Sequence, residues 1–102
     1  MQATEIKLRQ KLRVLELSFD NGEHYCLTCE VLRVHSPSAE VQGHGGVGGT
    51  LPVGKENVNI SAIEPVGQYA VKLIFDDGHQ SGIYTWDYLY ALGKKFHQET
   101  NL

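Results

Sequence analysis

Few side chains in this 102-residue chain could bind a metal or move a proton: His24, His35, His44, His79, His97, Cys26 and Cys29. Cys26-Leu27-Thr28-Cys29 has the spacing of a redox or metal pair. Redox use would place the first thiol at the opening of a helix, where the dipole lowers its pKa. Cys26 instead falls within a segment that reads as strand, and only Cys29 reaches the helix start beyond it. One cysteine is therefore read as a small core residue. A tetrahedral zinc site would need a second ligand pair, which only histidines could supply here. His24 and His97 read as surface residues. His35, His44 and His79 gather around one long glycine-rich stretch, and three imidazoles can hold a divalent zinc or iron with a position left open.

Two glycine patterns in that stretch match phosphate loops by letters alone. Gly43-x-Gly45-x-x-Gly48 has the dinucleotide spacing. Gly49-x-x-x-x-Gly54-Lys55 has that of a P-loop, with Glu56 where a magnesium-binding Ser or Thr belongs. Phosphate binding needs a strand before the loop and a helix after it, so that backbone amides meet the anion. Pro52 and the strand-like Asn57-Val58-Asn59-Ile60 follow instead, and nucleotide binding is rejected. Ser36 beside His35 is no catalytic pair, because neighbours on an extended segment point to opposite sides. No oriented nucleophile and base can be assembled, so catalysis by this chain alone is not expected.

The elements that position these residues are legible from period and punctuation. Residues 5–9 and 12–19 read as strands, with Leu15, Leu17 and Phe19 on one face. Asp20-Asn21-Gly22 is a hairpin turn, and 23–28 is the returning strand. A short helix over 29–35 is limited by Pro37. Residues 36–54 form a glycine-rich loop, too long and irregular to be anything but functional or mobile. Strands near 57–64 and 69–75 follow, separated by Glu64-Pro65-Val66-Gly67. The turn Asp76-Asp77-Gly78 leads to a strand over 79–84. In the last helix Thr85 is the N-cap, Trp86, Leu89 and Tyr90 make one apolar stripe, and Gly93 closes the end. Leu17-Ser18-Phe19-Asp20-Asn21-Gly22 resembles Leu73-Ile74-Phe75-Asp76-Asp77-Gly78, which points to two hairpin-plus-helix units. The expected fold is α+β and strand-dominated, an antiparallel sheet with two short helices packed on it.

The chain suits a single domain over 1–102. Twelve acidic against nine basic residues, a net charge of −3, argue against nucleic-acid binding, which needs cations to neutralise phosphates. Lys7, Arg9, Lys11 and Arg13 alternate with apolar residues, as on a solvated strand face. The longest apolar run, Tyr69 to Phe75, contains Lys72 and is far short of the ~20 residues of a membrane span. The first residues lack an apolar signal core, and two thiols three positions apart read as reduced, so a cytoplasmic location is expected.

The segment Leu32-Arg33-Val34-His35-Ser36-Pro37-Ser38-Ala39-Glu40-Val41, then Phe75-Asp76-Asp77-Gly78-His79 and Trp86-Asp87-Tyr88-Leu89, resembles the N-terminal domain of γ-butyrobetaine hydroxylase-like proteins over nearly the whole chain. The resemblance implies a domain that precedes a 2-oxoglutarate oxygenase, is attached to iron–sulfur carrier proteins, or stands alone. It also implies a zinc position built from three cysteines and a histidine. By position the histidine is His79, while the cysteines fall at Ser36, Ser38 and Val41. Serine is a poor zinc ligand and valine is none, so that zinc is not expected here. Cys26 and Cys29 lie elsewhere in the pattern.

Together these readings predict a non-catalytic accessory or binding module, with an iron–sulfur carrier or oxygenase-type protein as partner. The expected contact surface is Arg33, His35, Glu40, His44 and His79, with Tyr84 and Tyr88 as exposed aromatics. The alternative is a metal-binding protein that holds zinc or iron through His35, His44 and His79.

Overall fold

Two turns of nearly the same sequence organise the chain. In Phe19-Asp20-Asn21-Gly22 the Gly22 N–H donates to Phe19 O at 3.0 Å, and in Phe75-Asp76-Asp77-Gly78 the Gly78 N–H donates to Phe75 O at 3.1 Å. Each phenylalanine N–H then donates across the hairpin at 2.9 Å, to Glu23 O and His79 O respectively. Gly22 and Gly78 sit at φ +86° and +93°, a region in which a Cβ would clash with the backbone. The structure is a computed structural model and describes residues 2–37, 54–80 and 82–98.

Around the first turn lie β1 (Ala3–Arg9), β2 (Val14–Phe19), β3 (His24–Thr28) and α1 (Cys29–Val34). Around the second lie β4 (Ile60–Val66), β5 (Ala70–Phe75), β6 (Ile83–Thr85) and α2 (Trp86–Phe96). Each half is a three-stranded antiparallel sheet in chain order, β1-β2-β3 and β4-β5-β6. A register shift interrupts the first strand of each, at Ala3/Glu5 and at Ile60/Ala62. Each helix starts on a threonine cap: Thr28 Oγ1 accepts from Val31 N–H and Thr85 Oγ1 from Tyr88 N–H, both at 3.1 Å. The sequence repeat is thus a structural repeat, and the α+β, strand-dominated, antiparallel reading holds.

The two halves share one core. Alternation on the central strands turns Leu15, Leu17 and Phe19 of β2 and Val71, Leu73 and Phe75 of β5 inward, where Leu32 of α1 and Leu89 and Leu92 of α2 join them. Each fully buried leucine or phenylalanine contributes roughly 1.5–3 kcal/mol relative to an exposed one. The helices also reach across. Arg33 of α1 bonds to the turn of the second half, and Tyr90 of α2 donates to the Glu23 carboxylate in the turn of the first. Among the described residues no helix is long and apolar enough to cross a membrane.

Four local expectations are corrected. Pro65 lies inside β4, not in a turn, and pairs with Val71. A proline is tolerated there because β4 is an edge strand among the described residues. The strand expected over 79–84 shortens to Ile83–Thr85. Gly93 does not end α2 but lies buried within it, because the Tyr25 ring packs where its Cβ would be, 2.6 Å from the nearest ring carbons. Leu12, read as strand, sits in the turn between β1 and β2 and is exposed.

Candidate functional site

The glycine-rich stretch leaves the scaffold after α1 and rejoins it before β4, and both of its flanks are tied to one turn. Asp77 is the anchor. Its Oδ2 accepts from Arg33 Nε and from Lys55 Nζ, both at 2.8 Å, and its Oδ1 accepts from the His79 N–H at 3.0 Å. Arg33 lies on the departing side and Lys55 on the returning side. Partial burial costs the Asp77 carboxylate some hydration, but the Lys55, His79 and Arg33 donors more than offset that. They hold its pKa well below the usual carboxylate range.

Two residues after Asp77, the His79 side chain meets the departing chain. His79 Nε2 and Ser36 Oγ are hydrogen-bonded at 2.8 Å. Ser36 is the one fully buried polar side chain in the described core, 1% exposed. Gly82 makes room for it. A Cβ at position 82 would come closer than 3.0 Å to Ser36 Oγ and would stand 3.1 Å from Tyr84 Cε1 and 3.3 Å from Pro37 Cδ. The carbonyls around the end of α1 are capped from the second half: Tyr84 OH donates to Leu32 O and Tyr88 OH to His35 O, both at 2.5 Å. The His35 ring lies on Phe96, with centroids 4.7 Å apart, and burial together with the nearby Lys95 charge lowers its pKa.

The expected site residues are therefore distributed as follows. Arg33 and His79 come together through Asp77 and the end of α1, with His79 bonded to Ser36, whereas the His35 ring packs on Phe96. Glu40 and His44 lie outside the described residues, as do Ser38 and Val41. Tyr84 is corrected: it is wholly buried, not exposed. Its neighbour Ile83 takes the outward position because Tyr84 pairs with the inward-facing Val71. Tyr88 is half-buried, with its hydroxyl turned to the His35 carbonyl. Asp77, Lys55, Ser36 and Gly82 complete the site. Sequence reasoning noted the first three for other reasons, and charges flanking a long loop were the usable signal.

The remaining candidates serve the scaffold. His24 Nδ1 pairs with Ser18 Oγ at 2.9 Å, and His97 Nδ1 accepts the edge N–H of Cys26 at 3.0 Å. Cys26 and Cys29 are both free and buried. Burial raises the Cys26 thiol and pushes Cys29 up to about 11. Among the described residues no three His, Cys, Asp or Glu side chains are grouped to hold a metal ion. The zinc implied by the resemblance also does not suit the donors present. Where a thiolate would face His79 stands the Ser36 hydroxyl, and position 41 offers no donor atom.

Fold and site define a small α+β domain of two strand–strand–strand–helix repeats, in which Arg33 and Lys55, on either side of residues 38–53, are both fastened to the second turn. The chain belongs to the γ-butyrobetaine hydroxylase-like N-terminal domain family, whose model matches residues 6–90. It is similar to a crystal structure, at 1.93 Å resolution, of a protein of unknown function of the DUF971 family from Acidithiobacillus ferrooxidans. The two share 40% identity over 90% of this chain and 92% of that one, with a TM-score of 0.77. Two NMR solution structures are 57% and 51% identical, each over 92% of this chain and over 70% and 73% of theirs, with TM-scores of 0.78 and 0.77. No curated protein matches the chain.

Proposed function

We propose that this domain is a non-catalytic, cytoplasmic binding module that docks a protein partner of iron–sulfur carrier or oxygenase type. Its contact residues are those at the end of α1 and around Asp77, together with Glu40 and His44 of the segment that follows α1. One observation carries the reading: Arg33 on one flank of residues 38–53 and Lys55 on the other both bond Asp77, while Ser36 bonds His79. A segment whose two flanks are anchored on a rigid hairpin is a common way to present recognition residues from a scaffold. Arg33 and Lys55 place positive charge there, His35 and His79 supply ring nitrogens, and Glu40 and His44 belong to the segment between the two flanks. Two buried, unpaired thiols suit a reducing compartment. The test is calorimetric titration with iron–sulfur carrier and oxygenase-type proteins. Saturable binding that weakens about tenfold or more in Arg33→Glu supports the reading, on the scale of a lost charge-assisted contact. Binding indifferent to that change contradicts it.

A metal-binding reading, with zinc or iron held through His35, His44 and His79, has one observation in its favour: the His79 ring meets the end of α1, bonded to Ser36 next in sequence to His35. Zinc and iron content of untagged, gently purified protein decides it. Near-stoichiometric metal that is lost in His79→Ala supports this rival, and sub-stoichiometric metal removes it.

A further inference from the structure

Among the described residues, two cations go unanswered. Lys7, Arg9, Arg33, Lys55 and Lys72 each face a carboxylate within 4.0 Å. Lys94 and Lys95 sit over the Tyr90 and Phe96 rings in the last turn of α2, where the helix dipole favours positive charge. Lys11 and Arg13 have no carboxylate, ring or helix end to meet them, and both are exposed in the turn between β1 and β2. Between them stands Leu12, 49% exposed. A lone exposed leucine is ordinary, but one set between two unanswered charges makes a small patch with an apolar centre and a charged rim.

The turn is held in place at a conformational cost. Arg13 has φ +54°, the one non-glycine among the described residues in the left-handed region, which glycine or asparagine adopts with less strain. The scaffold fixes it from several sides. Arg13 N–H donates to Gln10 O at 3.3 Å, and Arg13 O accepts from the Cys29 N–H at the start of α1 at 2.8 Å. From the second half, Asn57 O accepts from Arg13 Nε at 3.2 Å, and Asn59 Nδ2 donates to Gln10 O at 2.9 Å. The guanidinium meets only a neutral carbonyl there, so its charge stays uncompensated. A partner meets this turn preformed, with little ordering cost left on the side of this protein.

We propose that the Lys11-Leu12-Arg13 turn docks an acidic segment of a protein partner, whose carboxylates meet Lys11 and Arg13 while an apolar side chain covers Leu12. Charge complementarity selects that class: opposite charges at the rim steer and register the segment, and the apolar centre supplies the burial. Two cations around one leucine are too few for a nucleic acid, where several phosphates must be neutralised together. They also fall short of the long basic amphipathic face that holds a protein on an anionic membrane. The turn is a different surface from the joint at Asp77, and either can fail without the other.

The probe is a short peptide in which glutamates flank one leucine, titrated to millimolar concentration into the isotope-labelled full chain. Saturable amide shifts at Lys11, Leu12 and Arg13 are expected, and they should weaken as salt rises. The same peptide with lysine in place of glutamate should leave them unmoved. Lys11→Glu should weaken binding roughly three- to tenfold, the effect of a lost exposed ion pair with repulsion added. Leu12→Ser should weaken it by roughly as much, since about half of a leucine's full burial is at stake. Both positions are exposed, so each variant should keep the circular dichroism of the parent protein. No saturable shift at the turn, equal response to the lysine peptide, or binding indifferent to both substitutions would overturn the proposal. Tighter binding to anionic phospholipid vesicles than to the glutamate peptide would overturn it as well.

Discussion

Replacing Gly82 with alanine should unseat the Ser36–His79 pair, and the cost can be worked from the geometry. The new methyl would press on Ser36 Oγ, with Tyr84 Cε1 at 3.1 Å and Pro37 Cδ at 3.3 Å behind it. Ser36 cannot swing into solvent, since it is buried between a helix end and Pro37. Overpacking of this kind costs about 1–3 kcal/mol, and a lost, partly buried hydrogen bond adds about 1 kcal/mol. Gly82→Ala should therefore destabilise the domain by about 2–4 kcal/mol, a fall in Tm of roughly 10–25 °C for a domain this small. Ser36→Ala alone loses only the hydrogen bond, about 1 kcal/mol. In the double variant the hydroxyl that meets the new methyl is gone, so the two costs should fall short of additivity by at least about 1 kcal/mol. Urea denaturation of the four proteins measures the coupling, and the His79 ring resonances report the pair itself. Strictly additive losses, or a His79 ring signal unmoved by Gly82→Ala, would refute the packing argument.

The ion pairs at Asp77 predict a pH dependence. Its native carboxyl titrates below the unfolded value of about 3.9, so their contribution is complete above that value and is lost as pH falls through and below it. Asp77→Asn should cost about 1–2 kcal/mol at pH 7 and flatten the acid limb of a stability–pH curve, while an unchanged limb would contradict the linkage. The two cysteines should be inert in the native state. At pH 8 neither should react with a thiol reagent faster than the domain opens, because both are buried and Cys29 is raised to about 11. Labelling of Cys29 that outpaces unfolding would show the first sheet and α1 to be looser than described.

The parts of this molecule that follow local rules were legible in its sequence. The two Phe-Asp-x-Gly turns, the threonine cap at Thr85, and the inward alternation of Leu15, Leu17 and Phe19 depend on residues a few positions apart. What escaped depends on contacts between the halves. Ile83 and Tyr84 are both apolar neighbours, and only the pairing of Tyr84 with Val71 decides which one faces inward. Gly93 carries the signature of a helix end, but Tyr25, brought over by the first sheet, gives it an interior role. The same holds at the site. His79 and Arg33 stood out as candidates, whereas the joint that unites them needs Asp77 and Lys55, 44 and 22 positions away from Arg33 and Asp77 respectively. Ser36 was noticed for its position in the family pattern. Its hydrogen bond to His79, 43 residues on, shows that the fold still brings those two positions together.

The central claim is that partners engage the loop base held by Asp77 and His79. Backbone amide shifts of the isotope-labelled domain, followed as an iron–sulfur carrier or oxygenase-type protein is titrated in, test it most directly. The account predicts saturable shifts concentrated at Arg33–Ser36, Lys55 and Asp77–His79, and their disappearance when Arg33→Glu is used. Shifts confined to other surfaces, or none with either partner class, would contradict it.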